Sequence, residues 1–395
     1  MMQKQTEPWK SKNNLPHGSE YKGGLILALS FTHFIHDIYS SFLSPLLPLL
    51  IKKLSMSLSE AGFLSTAMQV PALMNPYIGK IADRVSVRLF IVLAPGLTAA
   101  CMSLIGMAPS YVTLLLLLFI AGVSVSLFHV PAPVMISRLA GDKKGRGMSF
   151  FMTGGELART LGPLAAVGAV SLFGLEGIYP VMVVGLGASA LLLIKFRDVP
   201  IRVDRPQDIS LWATWQEMQF VLLPLTGILF ARGFMHASMA AFLPTFIKAE
   251  TGNIWMGGAA LTLFEFAGVL GVMGAGPFSD RFGRRKILFA SLLAAPVMLF
   301  LFAWVEHWTR LIALFFTGMS ILSTTPVMLA LVQEHAKTSP SAANGMFMMM
   351  SFISRSAIVV VVGFLGDLVG LRNTYFISSV LGALGIPLVF TLPKD

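Results

Sequence analysis

Ten ionisable side chains lie inside long apolar stretches of the sequence, and three of them fall close together near its beginning. His33, His36 and Asp37 are spaced so that they share one face of a helix. An ionisable group within an apolar segment that crosses a membrane is costly, and it marks a functional site by default. A carboxylate beside imidazoles can exchange protons, because burial and neighbouring charges shift the protonation of both groups. These three residues, with Glu265 as a second choice, are therefore predicted to carry a proton.

The remaining six side chains suggest the binding of an anion. Arginine suits bidentate contacts with carboxylate and phosphate groups. If Glu156 neutralises Arg159 three residues later, then Arg232 and Arg355 are left for an anionic group. Simpler interpretations stay open: the Glu156–Arg159 pair could only stabilise its own helix, and His129 could be a packing histidine. The predicted substrate-binding residues are Arg232, Arg355, His236, His129, Glu156 and Arg159.

The elements that must position these residues are membrane-spanning helices. The 395-residue chain is 55% hydrophobic and only 12% charged, and its mean hydropathy is +0.76. These values exclude an ordinary soluble domain and a disordered chain. The single cysteine, Cys101, excludes a disulfide framework and a cysteine-based metal site. A spanning helix needs about 20 apolar residues. Twelve such stretches, spans 1 to 12, are predicted at 24–50, 58–79, 87–107, 111–137, 146–173, 177–195, 218–248, 256–278, 287–305, 310–333, 343–366 and 373–392.

The distribution of basic residues predicts how the spans are oriented. Loops on the cytoplasmic side of a membrane retain Lys and Arg. With the N-terminus inside, 21 of the 29 basic residues fall on the cytoplasmic side, five on the opposite side and three within spans. Both termini are therefore predicted to be cytoplasmic. The net charge of +10 follows from this asymmetry and requires no nucleic-acid partner.

The two halves of the sequence repeat each other. The pattern at 79–84 recurs at 276–281, an offset of 197, and the pattern at 47–52 recurs at 243–248, an offset of 196. Matches in the same order at about half the chain length indicate a duplicated six-helix unit, which is a plan of alternating-access transporters. We predict a cytoplasmic N-terminal tail at 1–23, an N-terminal six-helix bundle at 24–196, a cytoplasmic linker at 197–216 and a C-terminal bundle at 217–395.

The repeated pattern Gly-x-x-x-Asp-Arg resembles a cytoplasmic loop signature of the major facilitator superfamily. The second copy continues through Gly283 and Arg284 and is nearly complete, whereas the first has Ser86 and Val87 where a Gly and a basic residue are usual. The resemblance covers essentially the whole chain. It implies an all-α polytopic protein of a bacterial-type plasma (inner) membrane, with twelve transmembrane helices in two pseudo-symmetric six-helix bundles. Charge-assisted hydrogen bonds in these loops would latch helices in one conformation. The predicted gating residues are Gly79, Asp83, Arg84, Gly276, Asp280, Arg281, Gly283 and Arg284.

Within that superfamily, the first half resembles exporters of the fosmidomycin-resistance type. The similarity rests on the stretches at 128–129, 154–156 and 161–164. Span 5 also matches in part an exporter-associated motif, in which small residues before a Gly-Pro let helices approach closely. An arginine that many proton-driven relatives carry in span 4 is replaced by Leu118, so the proton site is sought elsewhere. The predicted helix-packing residues are Gly154, Gly155, Gly162 and Pro163.

These observations predict a proton-coupled exporter (antiporter) of a small anionic or amphiphilic molecule, such as a drug or metabolite. It would work as a monomer by alternating access, without a cofactor or a resident metal. The alternative is a proton-coupled importer (symporter) of an organic anion. Met235, His236 and Met239 share a helix face that would suit a carrier of soft metal ions or metal chelates, although methionine in apolar helices usually packs. An intramembrane enzyme would need a nucleophile or further ligands that no motif supplies. A sensor or scaffold would not need charges inside the bilayer.

Overall fold

A computed structural model of the protein describes residues 21–75, 78, 88–197, 211–336 and 340–393, and its regular secondary structure there is helical. Eleven helical stretches among the described residues are long and apolar enough to cross a membrane, and they correspond to spans 1 and 3 to 12. Span 2 is helical over Leu58–Gln69 and Val70–Met74, and its predicted range runs on beyond the described residues. The prediction of an all-α polytopic membrane protein is confirmed.

The helices begin and end near the predicted bounds. In chain order, the helices of spans 1 to 6 are Gly23–Ser40 with Leu43–Leu54, Leu58–Gln69 with Val70–Met74, Arg88–Leu104 with Ile105–Met107, Tyr111–His129 with Ala132–Leu139, Lys144–Phe173, and Glu176–Val181 with Met182–Lys195. Those of spans 7 to 12 are Leu211–Thr251, Ile254–Phe282, Arg284–Trp304, His307–His335, Pro340–Val369, and Leu371–Ala383 with Pro387–Thr391.

Spans 1 and 4 are each interrupted close to a predicted site residue, and proline explains both breaks. In span 1 the helix stops before Ser41, because Pro45 has no N–H to donate to the carbonyl group of Ser41 and its ring would collide with that group. In span 4 the helix stops at His129, two residues before Pro131. The hydrophobic pattern crosses both interruptions without a signal, so each span is predicted as one continuous stretch.

The six N-terminal and the six C-terminal spans form two bundles, which meet where span 1 contacts span 7, span 2 contacts span 11 and span 5 contacts span 8. The hydroxyl of Thr66 donates a hydrogen bond of 2.7 Å to the carbonyl oxygen of Ser356. A Cβ atom added to Gly363 would lie 2.3 Å from the carbonyl oxygen of Leu58, so spans 2 and 11 approach too closely for a larger residue there. These contacts lie toward the span ends predicted to face away from the cytoplasm, here called the outer face. The bundles are therefore packed together at the outer face.

Asp367, at the outer end of span 11, joins the bundles by capping the first helix of span 2. Its carboxylate accepts hydrogen bonds from the backbone N–H groups of Leu58 (2.7 Å) and Ser59 (2.8 Å), and from the Ser59 hydroxyl (2.5 Å). N–H groups in the first turn of a helix have no intrahelical acceptor, and the helix dipole favours a negative charge beside them. A carrier that opens its outer face must break this contact.

The variant Asp367→Asn is expected to loosen the outer face. Because the amide loses the negative charge and one acceptor, the contact should weaken by about 1 kcal/mol, which shifts the population of conformations roughly fivefold. Pulsed EPR between spin labels at the outer ends of spans 2 and 11 would show a larger share of long distances. The matched control is Glu306→Gln, whose partner Arg372 lies in the same bundle. An unchanged distance distribution in Asp367→Asn would show that the cap does not hold the bundles together.

Candidate functional site

Asp37 lies at the centre of a cluster of three histidines, of which His33 and His36 are buried and His129 is partly exposed. Its Oδ1 atom is 2.8 Å from Nδ1 of His36 and 3.3 Å from Nε2 of His129, and its Oδ2 atom is 3.1 Å from Nε2 of His33. The Nε2 atoms of His33 and His129 are 3.3 Å apart. Span 1 thus contributes the three residues predicted to act together. Span 4 adds His129, which the sequence pattern placed with the substrate residues, because it does not reveal which way a side chain of span 4 points.

Backbone carbonyl groups fix the orientation of two of the imidazoles. Nδ1 of His33 is 2.8 Å from the carbonyl oxygen of Phe151, and Nδ1 of His129 is 3.0 Å from that of Val125. Because a carbonyl oxygen can only accept, both Nδ1 atoms carry a hydrogen. The ring of His33 also stacks on the ring of Phe151 at a centroid distance of 3.9 Å. In their neutral forms, both histidines therefore turn a lone pair on Nε2 toward Asp37.

Two hydroxyl groups connect His36 to spans 3 and 4. Its Nε2 atom is 3.1 Å from Oγ1 of Thr98, which donates to Oγ of Ser124 at 2.8 Å. Ser124 donates in turn to the carbonyl oxygen of Ala94 at 2.8 Å. His36, Thr98 and Ser124 are fully buried. Sequence reasoning missed both hydroxyls, because Ser and Thr in apolar helices commonly bond back to their own backbone and carry no distinguishing signal.

Span 5 approaches the cluster closely because its predicted packing residues are small. A Cβ atom added to Gly154 would lie 2.5 Å from the carbonyl oxygen of Ser30, and one added to Gly155 would lie 2.7 Å from Cε1 of His33. Gly162 is equally constrained, since a Cβ atom added to it would lie 2.2 Å from Oγ of Ser41. The glycines therefore set the distance between span 5 and the histidines.

A cavity of about 250 Å³ lies between the two bundles, one helical turn along span 1 from Asp37. Ser41, in its wall, donates a hydrogen bond of 2.7 Å to the carbonyl oxygen of Asp37. Both bundles contribute to its polar lining. The polar lining includes Ser41, Gln69, Arg159, His236, Glu265 and Arg355, and Pro163 of the packing motif also borders it.

The cavity carries charges of both signs. Arg159 pairs with Glu156, as their spacing predicted, while its side chain stays 49% exposed. It also lies within electrostatic range of Asp37 and Glu265. Arg355 lies within electrostatic range of Glu265, but no carboxylate oxygen of the described residues is within 4.0 Å of it. Arg355 is thus a cavity guanidinium that is not directly neutralised in the described part of the chain.

Arg232 is buried and is not among the residues that line the cavity. Only 6% of it is exposed, and its Nη2 atom donates to Oγ1 of Thr325 at 3.2 Å. Its buried Nε atom has no hydrogen-bond partner within the described ranges. Arg232 is within electrostatic range of Arg355 and His236. Arg232 therefore contributes positive charge near the cavity, and its predicted contact with a substrate stays a prediction.

The second copy of the loop pattern forms ion pairs that join three spans. One guanidinium nitrogen of Arg284 is 2.5 Å from Oδ1 of Asp280 and 2.8 Å from Oε1 of Glu334, so spans 8, 9 and 10 are connected. Gly283 ends span 8 with a φ of +99°, a conformation that favours glycine. The predicted gating residues of the first copy, Gly79, Asp83 and Arg84, lie outside the described residues.

Known proteins resemble the chain along most of its length. The family model described as the Major Facilitator Superfamily matches residues 29–253 and 225–395. The fosmidomycin resistance protein of Escherichia coli (strain K12) is 24% identical over 381 residues, which covers 94% of this chain and 93% of that protein. The multidrug resistance protein MdtG of Salmonella typhi is 22% identical over 287 residues, which covers 69% of this chain and 71% of that protein.

A solved structure shares the fold. It is a bacterial homologue of the human lysosomal transporter Spinster, in an inward-facing and occupied conformation, and it superposes with a TM-score of 0.81. The match covers 94% of this chain and 97% of that chain at 14% sequence identity. The similarity supports the arrangement of the twelve helices in two bundles.

Proposed function

Since the chain belongs to the Major Facilitator Superfamily, we propose that this membrane transporter is a proton-coupled antiporter that exports a small organic anion by alternating access. One observation carries the proposal: the buried Asp37 cluster lies one helical turn from a cavity that both bundles line. A proton site and a substrate site on neighbouring turns of span 1 can be linked through that helix, so that occupancy of one excludes occupancy of the other. Such exclusion is what couples two fluxes in an antiporter.

The proton is carried by Asp37 together with its histidine neighbours. Asp37 contacts His33 and His36 on its own span and His129 on span 4. In a site with little water, the charged form of each group depends strongly on its neighbours, so access of water from the cavity changes proton affinity. Glu265, across the cavity, is the second candidate for a proton carrier.

The substrate anion is held by Arg355, with Arg159 and His236 in the same cavity. A guanidinium without a close carboxylate offers two parallel N–H donors that match a carboxylate, phosphate or phosphonate group. Arg232, which lies within electrostatic range of Arg355, adds positive charge to the site. A cavity of about 250 Å³ favours a small hydrophilic anion over a large amphiphilic drug.

Export, rather than import, is supported by the packing motif of span 5 and by the relatives. One relative is named as a fosmidomycin resistance protein and another as a multidrug resistance protein. Efflux from the cytoplasm would confer such resistance. With 21 of 29 basic residues on one side, we place the tail at 1–23, the linker at 197–216 and both termini in the cytoplasm. The six-helix units at 24–196 and 217–395 would lie in the plasma (inner) membrane as a monomer.

Transport into proteoliposomes tests whether substrate movement is coupled to protons and whether the two move in opposite directions. Labelled fosmidomycin and a panel of small phosphonates and carboxylates would be added to vesicles with an acidic or an alkaline interior. An antiporter accumulates its substrate in acidic vesicles, whichever way the protein is inserted, because protons leave as the anion enters. Accumulation in alkaline vesicles would instead indicate a symporter. Uptake that is indifferent to the pH gradient would contradict proton coupling.

A further inference from the structure

The cluster of His33, His36, Asp37 and His129 has more hydrogen-bond acceptors facing each other than a single proton can satisfy. We infer that it holds two exchangeable protons at once, one in the His36–Asp37 contact and one shared among His33, His129 and Asp37. This inference rests on the proposed function, because it states how many protons the coupling site carries.

The proton shared among His33, His129 and Asp37 follows from the backbone carbonyl groups that accept hydrogen bonds from His33 and His129. Each Nδ1–H is committed to a backbone carbonyl, at 2.8 Å and 3.0 Å. In the neutral rings both Nε2 atoms are then acceptors, yet they lie 3.3 Å from each other and 3.1 Å and 3.3 Å from the carboxylate oxygens of Asp37. Acceptors at these distances repel each other unless a cation, here a proton, lies among them. Because an imidazole is ordinarily more basic than a carboxylate, that proton resides on His33 or His129, and one of the two is an imidazolium.

The proton in the His36–Asp37 contact follows from the hydroxyl groups of Thr98 and Ser124, which are linked to His36. Ser124 donates to a carbonyl group, and Thr98 donates to Ser124, so the Thr98 oxygen is left to accept from Nε2–H of His36. With its hydrogen on Nε2, a neutral His36 presents a bare Nδ1 to Oδ1 of Asp37 at 2.8 Å. That contact is a hydrogen bond only if a further proton resides on Nδ1 or on the carboxyl group. Thr98 and Ser124 are thus positioning residues that keep a proton in the His36–Asp37 contact.

The surrounding charges fit a cluster that gains and loses positive charge. With two protons the four groups carry a net charge of +1, and without them a net charge of −1. Span 5 brings Arg159, which lies within electrostatic range of both Asp37 and His129 and is paired with Glu156. Span 8 brings Glu265, which lies within electrostatic range of Arg159. Both protons would pass to water in the cavity. Export of a monovalent anion against two entering protons would move net positive charge inward, so membrane potential would add to the driving force.

NMR of detergent-solubilised protein tests the inference without a substrate. The protein, with 15N-labelled histidine and 13C-labelled aspartate, would be measured in EDTA at about pH 7.5, roughly one unit above the ordinary histidine pKa. Single histidine-to-glutamine variants would assign the signals. We expect His36 to be protonated at Nε2, with another proton on its Nδ1 or on Asp37. We also expect either His33 or His129 to be protonated at both nitrogens.

The variant Thr98→Val tests whether the Thr98 hydroxyl sets the protonation of His36, with a control for loss of folding. Without the hydroxyl, Nε2 of His36 has no acceptor, so His36 should become the neutral Nδ1–H form and the cluster should hold one proton instead of two. The matched control is Thr317→Val, in which a fully buried threonine of span 10 loses only a bond to its own helix. No change of the His36 signals in Thr98→Val would refute the positioning role.

Three results would overturn the two-proton assignment. The first is a wild-type His36 in the neutral Nδ1–H form, and the second is neutral rings at both His33 and His129. The third is a difference between these signals with and without EDTA, which would place a metal ion among the acceptors. The transport assay on the same preparation tests the proposed function independently of the number of protons. Proton-coupled transport with one proton found would remove only this inference, whereas two protons with uncoupled transport would remove the proposed function.

Discussion

The variant Asp37→Asn is expected to lose substrate accumulation driven by a pH gradient while it retains exchange of substrate across the membrane. Asparagine has nearly the shape of aspartate, but it cannot bind a proton, and its neutral amide no longer stabilises an imidazolium among the three histidines. The cavity and Arg355 remain intact. Proteoliposomes would be assayed in two ways with a substrate that the anion panel identifies: labelled substrate driven by a pH gradient, and labelled against unlabelled substrate at equal pH. Gradient-driven uptake should fall to the level of empty vesicles.

The matched control for this variant is Glu176→Gln, which removes a carboxylate from an exposed ion pair with Lys53 at the ends of spans 1 and 6. It should retain both activities, because an exposed ion pair contributes little to stability. If Asp37→Asn still accumulated substrate with the gradient, the proton would have to be carried elsewhere. Glu265→Gln, which alters the second candidate, would then be the variant to lose coupling.

The variant Arg355→Ala is expected to weaken substrate binding roughly 10- to 100-fold. Hydrogen bonds to charged groups contribute about 1.5–3 kcal/mol, and each 1.4 kcal/mol corresponds to a factor of ten in affinity. Equilibrium binding of a labelled anion that the transport panel identifies as a substrate would measure the loss on the solubilised protein. A thermal unfolding scan would check that the variant is folded.

Two comparison variants sharpen this test. Arg355→Lys keeps the charge but not the planar pair of donors, so an intermediate affinity would indicate bidentate recognition. Arg372→Ala removes an exposed guanidinium at the outer face, where it pairs with Glu250, and should leave the affinity unchanged. Equal affinities in wild type and Arg355→Ala would remove Arg355 from the anion site.

The sequence predicted the spans well because lipid imposes a strict requirement. Each crossing segment must satisfy its own backbone hydrogen bonds and present apolar side chains, so length and hydropathy reveal it. The interruptions after Ser40 and His129 were not predicted, although Pro45 and Pro131 cause them. Whether a proline kinks, breaks or is absorbed by a helix depends on the neighbouring helices, which a hydropathy pattern does not contain.

The candidate site was predicted in composition but not in arrangement. The grouping of His33, His36 and Asp37 follows from helical spacing alone, as does the Glu156–Arg159 pair. Spacing along one helix cannot place residues of other helices, so the contact of His129 with Asp37 required the packed bundle. The same limit applies to Arg232, because spacing could not reveal that it is absent from the cavity lining.

The sequence by itself determined a twelve-helix membrane protein in two related halves, with a small set of ionisable residues inside the bilayer. It could do so because burial in lipid acts on each segment separately. The tertiary structure decided which charges face one another: Asp37 with three histidines, Thr98 with His36, and Asp367 with the start of span 2. Those contacts join residues up to 309 positions apart. They exist only because small residues such as Gly155 and Gly363 let particular helices approach closely.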